Sequence, residues 1–311
     1  MSESTSQQTS ENRSDRAAKK VILPSGGLAT RLLPATKSIP KELLPIVDTP
    51  ILEHLLREAG DAGITDALVI TVRGKEAIND HFDTDPALLA HLGDRYERLL
   101  AGTLDIIDRI TVHSVRQGGA TGMGLAVHRA RRHIGNEPFA VVTGDELLDR
   151  EAGLLTRMIE LQAARGGIVL AVSPVPDELV PLSDMAAVSE DGSAELFTVT
   201  DVVKRPRLED SPSRLALVGR YVLPPEIFPV LGRTAADAGG EVQLPDAMVE
   251  LGRAGVPIHA VRYTGARYDV ATRLGLLTTA IQFAGQRDDL RDDLLAWLRS
   301  YLNAQMPQPV G

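Results

Sequence analysis

The chain has 311 residues, 43% of them hydrophobic and 24% charged, enough apolar material for one large globular domain, which excludes a disordered or fibrous polymer. With 42 acidic against 33 basic residues its net charge is -9, which argues against a nucleic-acid partner, and the absence of cysteine excludes disulfides, thiol nucleophiles and thiolate metal sites. No apolar run reaches the roughly eighteen residues of a membrane span, and the polar stretch from Met1 to Arg16 has no apolar signal core, so the expectation is a cytoplasmic protein with no membrane partner.

Residues 1–19 are poor in large apolar side chains and are expected to be a disordered tail, with the folded domain starting at residue 20. Val21-Ile22-Leu23 leads into Pro24-Ser25-Gly26-Gly27-Leu28-Ala29-Thr30-Arg31, the pattern of a buried strand ending in a glycine turn. Over 50–62, Ile51, Leu52, Leu55, Leu56 and Ala59 recur at helical spacing, and 67–71 follows as a second buried strand. Residues 83–105 read as a helical excursion, a lid or an interface. A strand at 110–115, a helix at 124–133 and a fully apolar strand at 139–142 then lead to Gly144-Asp145-Glu146. The alternation predicts an α/β fold with a doubly wound, Rossmann-like sheet, whose carboxyl-end loops would bring the glycine turn and Asp145 into one crevice. From residue 167 the pattern turns to β, with strands at 168–172, 186–188, 197–203 and 215–223, which makes the central sheet mixed. Over 280–302, Leu290, Leu294, Leu295, Trp297, Leu298 and Leu302 stand among Arg and Asp as an amphipathic helix pair. The segment 286–311 suits either a helical cap or the contact of a homo-oligomer, dimer or tetramer.

Backbone N–H groups at the glycine turn can cradle phosphate oxygens, because no side chain blocks the approach. The turn is neither a Walker loop nor a G-x-G-x-x-G fingerprint, and an ordinary strand-to-loop turn has the same pattern. Arg31, Lys37 and Lys41 place three cations just after it in an otherwise acidic chain, suited to neutralising a polyphosphate. Asp145, past an apolar strand end, has the placement of a Mg²⁺ ligand. Asp269 is a second candidate ligand, equally explicable as a helix cap before Thr272. Gln117, in the glycine-dense 116–124 loop, offers the donor and acceptor that reading a pyrimidine edge requires, against the alternative of a simple flexible loop. His81, His113, His128 and His133 show no metal-type spacing and read as solvated or core histidines.

Together, the run Val21 to Pro45, Arg73-Gly74-Lys75-Glu76-Ala77-Ile78, Val115-Arg116-Gln117, residues 138–145, Gly219-Arg220-Tyr221-Val222-Leu223, Gly239 to Leu244 and Arg267-Tyr268-Asp269 resemble the bacterial UTP:glucose-1-phosphate uridylyltransferases over roughly 20–285. The resemblance implies a nucleotidyltransferase domain over 20–285 in which Gly26, Gly27 and Arg31 hold the nucleoside triphosphate and Lys41 counters the leaving pyrophosphate. It also places Gln117, Gly122 and Glu42 around uracil, Mg²⁺ between Asp145 and Asp269, and Lys204 on the sugar phosphate. Ala186, Val203 and Glu241 fall on the acceptor side.

The departures concern that side. The family's E-K-P glutamate stands as Val203, its Tyr-Gly pair as Met185-Ala186 and a later glycine as Ala271, while the third glycine of the turn is Ala29. A valine accepts no hydrogen bond, so the expectation is Mg²⁺-dependent transfer from UTP, or another nucleoside triphosphate, to a phosphorylated sugar or sugar-like acceptor other than glucose 1-phosphate. Housekeeping UDP-glucose synthesis is the alternative. A non-catalytic regulatory paralogue is a third reading, against which the retention of Arg31, Lys41, Asp145, Lys204 and Asp269 speaks.

Overall fold

The computed structural model describes residues 17–118, 122–190 and 194–305. In chain order its strands are β1 (Lys20–Pro24), β2 (Pro45–Ile46), β3 (Thr49–Pro50), β4 (Asp66–Thr71), β5 (Thr111–Arg116), β6 (Phe139–Val142), β7 (Glu146–Leu148), β8 (Ile168–Pro174), β9 (Met185–Glu190), β10 (Leu196–Val203), β11 (Leu215–Leu223), β12 (Ile258–Arg262) and β13 (Arg267–Asp269). Nine of them form one sheet in the order β5-β4-β1-β6-β11-β8-β12-β10-β9. The block β5-β4-β1-β6 is parallel, β11 runs antiparallel to both its neighbours, and β12 is again parallel to β8. The sheet is therefore mixed and doubly wound, as the strand and helix alternation predicts.

Burial on both faces explains why these strands read as unbroken apolar runs. Val21 and Leu23 enter one core and Ile22 the other; Ala67 and Val69 likewise oppose Leu68 and Ile70, the period of two expected of extended chain. The helices Ile51–Asp61 and Leu154–Arg165 cover the first face. The second is covered by Gly122–Arg129, Ile227–Leu231 and Leu244–Arg253. The segment expected as one helix at 124–133 is two, Gly122–Arg129 and Arg131–Ile134, and the excursion after residue 83 consists of Pro86–Leu92, Arg95–Leu99 and Ala101–Arg109. Ala18, placed in the tail by its composition, is buried in the first core, and residues 1–16 lie outside the described chain. Among the described residues no helix is long and apolar enough to cross a membrane.

Two helices, Arg273–Gln286 and Arg291–Gln305, complete the chain. The first docks on the core through Phe283, whose ring meets His54 edge-on at 5.1 Å and Tyr268 at 4.9 Å. Burial, with Arg57 second, pulls the His54 imidazole down to about 4 from its ordinary 6.5. The unfolded chain therefore binds more protons than the folded one between those two values, and stability falls as the pH drops through that window, by up to about 1.4 kcal/mol per pH unit. Thermal unfolding followed from pH 7 to pH 4.5 should show this loss, and His54→Phe should flatten it; an unchanged slope in the variant would remove His54 as its source.

Candidate active site

The parallel strands β1, β4, β5 and β6 all deliver their carboxyl ends to one edge of the sheet, and the chain leaves β1 toward β4 on one side and β6 on the other. Open α/β sheets form their ligand crevice at such a switch. Here it is a cleft of about 350 Å³ lined by Gly26, Gly27, Lys41, Glu42, Gln117, Gly122, Thr143, Gly144, Asp145, Glu241 and Gln243, among others. A larger cavity of about 690 Å³ lies against the helix Leu154–Arg165, but it is mostly apolar and contains none of the motif residues. Chemistry rather than size singles out the cleft.

The glycine turn is held at both ends. Ser25 donates its N–H to the Ile70 carbonyl at 2.8 Å, and the Lys75 amine donates to the Ser25 carbonyl at 2.6 Å. At the far end the Ala29 carbonyl accepts from the Leu32 N–H and the Thr36 hydroxyl, both at 3.0 Å. A Cβ at position 26 would lie 2.4 Å from Gln117 Oε1, so glycine there lets the amide lie against the turn, whereas position 27 opens onto free space. Ala29 has φ 48° and ψ 43°, so this position does take the left-handed conformation, at a cost of about 1 kcal/mol for a residue with a Cβ. Arg31, expected on the triphosphate, is exposed in the next turn, outside the cleft lining and without an ion pair among the described residues.

Gln117 is 4% exposed, takes the Thr71 carbonyl with its N–H at 2.8 Å and donates its side-chain amide to the Gly122 carbonyl at 3.3 Å. It is a fixed element, not part of a loose loop; residues 119–121 of that loop lie outside the described residues. Gly122 has φ 88°, and a Cβ there would meet the Val242 carbonyl at 2.5 Å, so the start of the helix Gly122–Arg129 packs directly on the segment that carries Glu241 and Gln243. Glu42 lines the cleft but is 2% exposed, and both its oxygens accept from Lys75 Nζ, at 2.9 and 2.8 Å, so its carboxylate is held in an internal ion pair. Lys75, which belongs to the Arg73-Gly74-Lys75 motif, was assigned no role from sequence.

Asp145 Oδ1 accepts from Lys41 Nζ at 2.5 Å, and the Asp145 side chain is 71% exposed. Its carbonyl accepts the Val270 N–H at 3.1 Å, while Asp269 pairs with Glu146 in the two-stranded sheet β7-β13, so the two acids issue from adjacent strands. Asp269 accepts from the Ala271 N–H at 2.8 Å and from the Thr272 hydroxyl. Thr272 is itself the cap of the helix Arg273–Gln286, donating nothing to it and accepting the Gly275 N–H at 3.0 Å. Asp269 thus orients the cap residue and keeps its carboxylate exposed. Two exposed carboxylates fit a hard cation that keeps several waters, as Mg²⁺ does.

Beneath Asp145 lies a residue that sequence did not single out. Arg220 on β11 is fully buried and donates to both oxygens of Glu58 at 2.7 and 2.8 Å, and to the carbonyls of Thr143, Gly219 and Glu146 at 3.2, 3.3 and 3.4 Å. Burial pulls its ionisation down, but the facing Glu58 carboxylate outweighs this and holds it above the ordinary arginine value. The guanidinium therefore stays charged and pins the backbone on both sides of Gly144-Asp145.

Of the acceptor-side residues, only Glu241 is in the cleft lining. Ala186 is fully buried, its carbonyl accepts the Ser213 hydroxyl at 2.6 Å, and it does not line the cleft. Val203 pairs with Met185 in the β9-β10 ladder and does not line it either. Lys204 reaches Asp246 at 2.6 Å, on the helix that starts directly after Gln243. Next to it Arg205 is exposed with φ 38°, facing Asp184, whose carboxyl is pushed up by burial in spite of the Arg205 and Lys204 charges. Glu241 and Gln243, hydrogen-bonded at 3.0 Å, are the polar groups the cleft wall presents on this side.

The buried Lys75–Glu42 pair makes a measurable claim. Lys75→Met leaves a carboxylate buried without a partner and should cost about 3–5 kcal/mol, whereas adding Glu42→Leu should recover much of that. A double-mutant cycle by urea unfolding checks it; additive losses would show that the pair is not coupled.

The comparisons with known proteins agree with this geometry. The family model for nucleotidyl transferases matches residues 19–278. The UTP–glucose-1-phosphate uridylyltransferase of Streptococcus pneumoniae is 38% identical over 284 residues, 90% of this chain and 95% of that protein. That of Bacillus subtilis is 37% identical over 298 residues, 93% of this chain and 99% of that protein. Among solved structures, a UDP-glucose pyrophosphorylase complexed with UDP-glucose superposes with TM-score 0.80 at 32% identity, covering 87% of this chain and all of the other. The UTP-bound enzyme from Acinetobacter baumannii does so with TM-score 0.82 at 33% identity, over 93% of this chain and 100% of the other. With the glycine turn, Gln117, Lys41 and Asp145 gathered at the switch point of such a sheet, the chain belongs to the nucleotidyl transferase family and is an enzyme of the bacterial UTP–glucose-1-phosphate uridylyltransferase type.

Proposed function

We propose that the enzyme transfers the uridylyl group of UTP to glucose 1-phosphate, giving UDP-glucose and pyrophosphate. The observation that carries this reading is the cleft itself, where a glycine turn, a fixed glutamine and a Lys41–Asp145 pair converge, in a chain that covers at least 95% of relatives named for that reaction. The expectation of a different acceptor rests on Val203, Met185-Ala186 and Ala271. Against that expectation stand the relatives named for glucose 1-phosphate, and Glu241 and Gln243 in the cleft wall can accept from and donate to sugar hydroxyls.

In this reading the N–H groups of Gly26 and Gly27 and the Lys41 ammonium receive the triphosphate, Arg31 reaches it from the next turn beyond the cleft lining, and Gln117 pairs with the edge of uracil, its own place set by Thr71 and Gly122. Lys204 and Arg205 steer the acceptor phosphate. Its oxygen attacks the α-phosphorus in line while the bond from that phosphorus to the β-phosphate oxygen breaks and pyrophosphate departs with the charge. Lys41 stabilises that charge, for which it exchanges its partner Asp145. Asp145 and Asp269 would hold Mg²⁺, which when bound supplies charge neutralisation across the phosphates. The cytosol is the compartment that holds these substrates and suits a chain without cysteine.

The C-terminal helices support a homo-oligomer: Leu274 and Leu277 are 72% and 64% exposed, and Trp297, 59% exposed, stacks on Tyr301 at 5.3 Å. Sedimentation velocity should find a species larger than the monomer that Trp297→Glu converts to monomer; a monomeric wild type would refute self-association.

Pyrophosphate release with Mg²⁺ should be fastest with UTP and glucose 1-phosphate among nucleoside triphosphates and sugar phosphates. Asp145→Asn should abolish turnover without unfolding the chain, and Gln117→Ala should erode discrimination between UTP and CTP by about tenfold, the scale of one lost buried hydrogen bond. A tenfold preference for another acceptor would restore the altered-pocket reading.

A further inference from the structure

At the end of the sheet opposite the cleft, three side chains from separate elements converge. Asp66 opens β4, His113 lies on the edge strand β5, and His133 lies on the short helix Arg131–Ile134. Both imidazole Nε2 atoms face one carboxylate oxygen: His133 Nε2 is 2.8 Å from Asp66 Oδ1 and His113 Nε2 is 3.9 Å from it. The two rings meet edge-on with centroids 4.9 Å apart, and the potential ligand atoms all lie within 4.8 Å of one another. Spacing along the chain hides this grouping, because β4 and β5 are brought into register by the parallel ladder and His133 returns from beyond the next loop.

We propose that Asp66, His113 and His133 form a binding site for a borderline divalent transition ion such as Zn²⁺, distinct from the oxygen-only Mg²⁺ site of the cleft. The donor set is the first argument. Two imidazole nitrogens and one carboxylate favour Zn²⁺, Co²⁺ or Ni²⁺ over Mg²⁺, which takes oxygen and keeps its waters. Geometry is the second. An ion with bonds near 2.0–2.1 Å separates tetrahedral ligands by about 3.3 Å, and the observed 2.8 and 3.9 Å bracket that value. Preorganisation is the third: the sheet ladder fixes the backbones of Asp66 and His113, and Lys20 Nζ donates to the carbonyls of His133 and Ile134 at 3.3 and 3.2 Å, fixing the third ligand's turn. Lys20 also pairs with Glu137 at 3.2 Å, so much of its charge is met beside the site.

An ion here would staple edge strand β5 to β4 and to the second layer. His113 precedes Gln117 by about 13 Å of the same extended run, so the staple would stiffen the strand that presents the base-reading amide. Because binding favours only the folded chain, it should raise the unfolding temperature.

The test uses the full chain with millimolar Mg²⁺ present to occupy oxygen-only sites. Calorimetric titration with Zn²⁺ should give one saturable ion per chain with a raised Tm, and Co²⁺ should give visible bands of low-coordinate, nitrogen-ligated metal. His113→Ala, at a side chain that is 47% exposed and tolerant of change, and His133→Gln should each weaken binding by at least the roughly 10–100-fold seen when a supporting partner is lost, and abolish the Tm shift while leaving the metal-free Tm near wild type. No saturable Zn²⁺ binding, or binding unchanged in both histidine variants, would overturn the proposal.

Discussion

Arg220 carries a full positive charge where no water reaches it, and the shape of the active site follows from how that charge is met. Its five donors are divided between the Glu58 carboxylate and three backbone carbonyls, those of Thr143, Gly219 and Glu146. Thr143 and Glu146 flank the gap where the ladder of β6 has ended and that of β7 has just begun, and Gly219 sits at the register shift of β11, where its carbonyl also accepts the Thr143 N–H at 2.9 Å. A buried ion pair is no guarantee of stability compared with an apolar replacement. What this one provides is position: the segment bearing Asp145 is tied to the helix Ile51–Asp61 and to β11 at once. The register shift between Val218 and Tyr221 lets β11 turn Arg220 inward, and Gly219 is required there because a Cβ would fall 1.7 Å from Thr143 Oγ1.

The lysines around the cleft divide by burial into two kinds. Lys75 and Glu42 are 10% and 2% exposed at their side chains, and separating them would strand a charge in the interior. Lys41 is 12% exposed, but its partner Asp145 is 71% exposed, so that pair can be exchanged for substrate at modest cost. In the proposed reaction a triphosphate would take Lys41 while a cation would take Asp145, two groups that are not sealed in the interior. The permanent pair fixes the walls; the exchangeable one faces the reaction. This division suits a chain of net charge -9 to the anionic substrate proposed for it, because the Lys41 charge is held by an acid that the substrate and its metal would relieve.

Local patterns carried most of the fold to the surface of the sequence. Apolar runs at β1, β4 and β6 announce strands buried on both faces, and the glycine turn and Asp145 fall at their ends. The helix Leu244–Arg253 was passed over although Pro245 in its first turn and the spacing of Leu244, Ala247, Met248 and Leu251 are ordinary helix signals. The helix Leu154–Arg165 was also missed. Neither Arg220 with Glu58 nor Lys75 with Glu42 was legible, because a buried polar pair is defined by which distant strands meet and leaves no period in the chain. Ala186 and Val203 pose a related difficulty: a motif marks neighbourhood along the chain, while the pleat of the β9-β10 ladder sets which way each of its residues faces.

The left-handed Ala29 shows how the turn can be strained and still well defined. A residue with a Cβ pays to sit at φ 48°, and such strain persists only where the surroundings over-determine it. Here they do: Lys75 holds the Ser25 carbonyl on one side, and Leu32 and Thr36 hold the Ala29 carbonyl on the other. Between these anchors Gly26, Gly27 and Leu28 span a short arc whose outer face is open at position 27. The carbonyls at both ends are engaged by the protein, so the arc between them is held in place. For the phosphate proposed to bind there, an arc fixed at both ends would leave little of the binding energy to be consumed in ordering the loop.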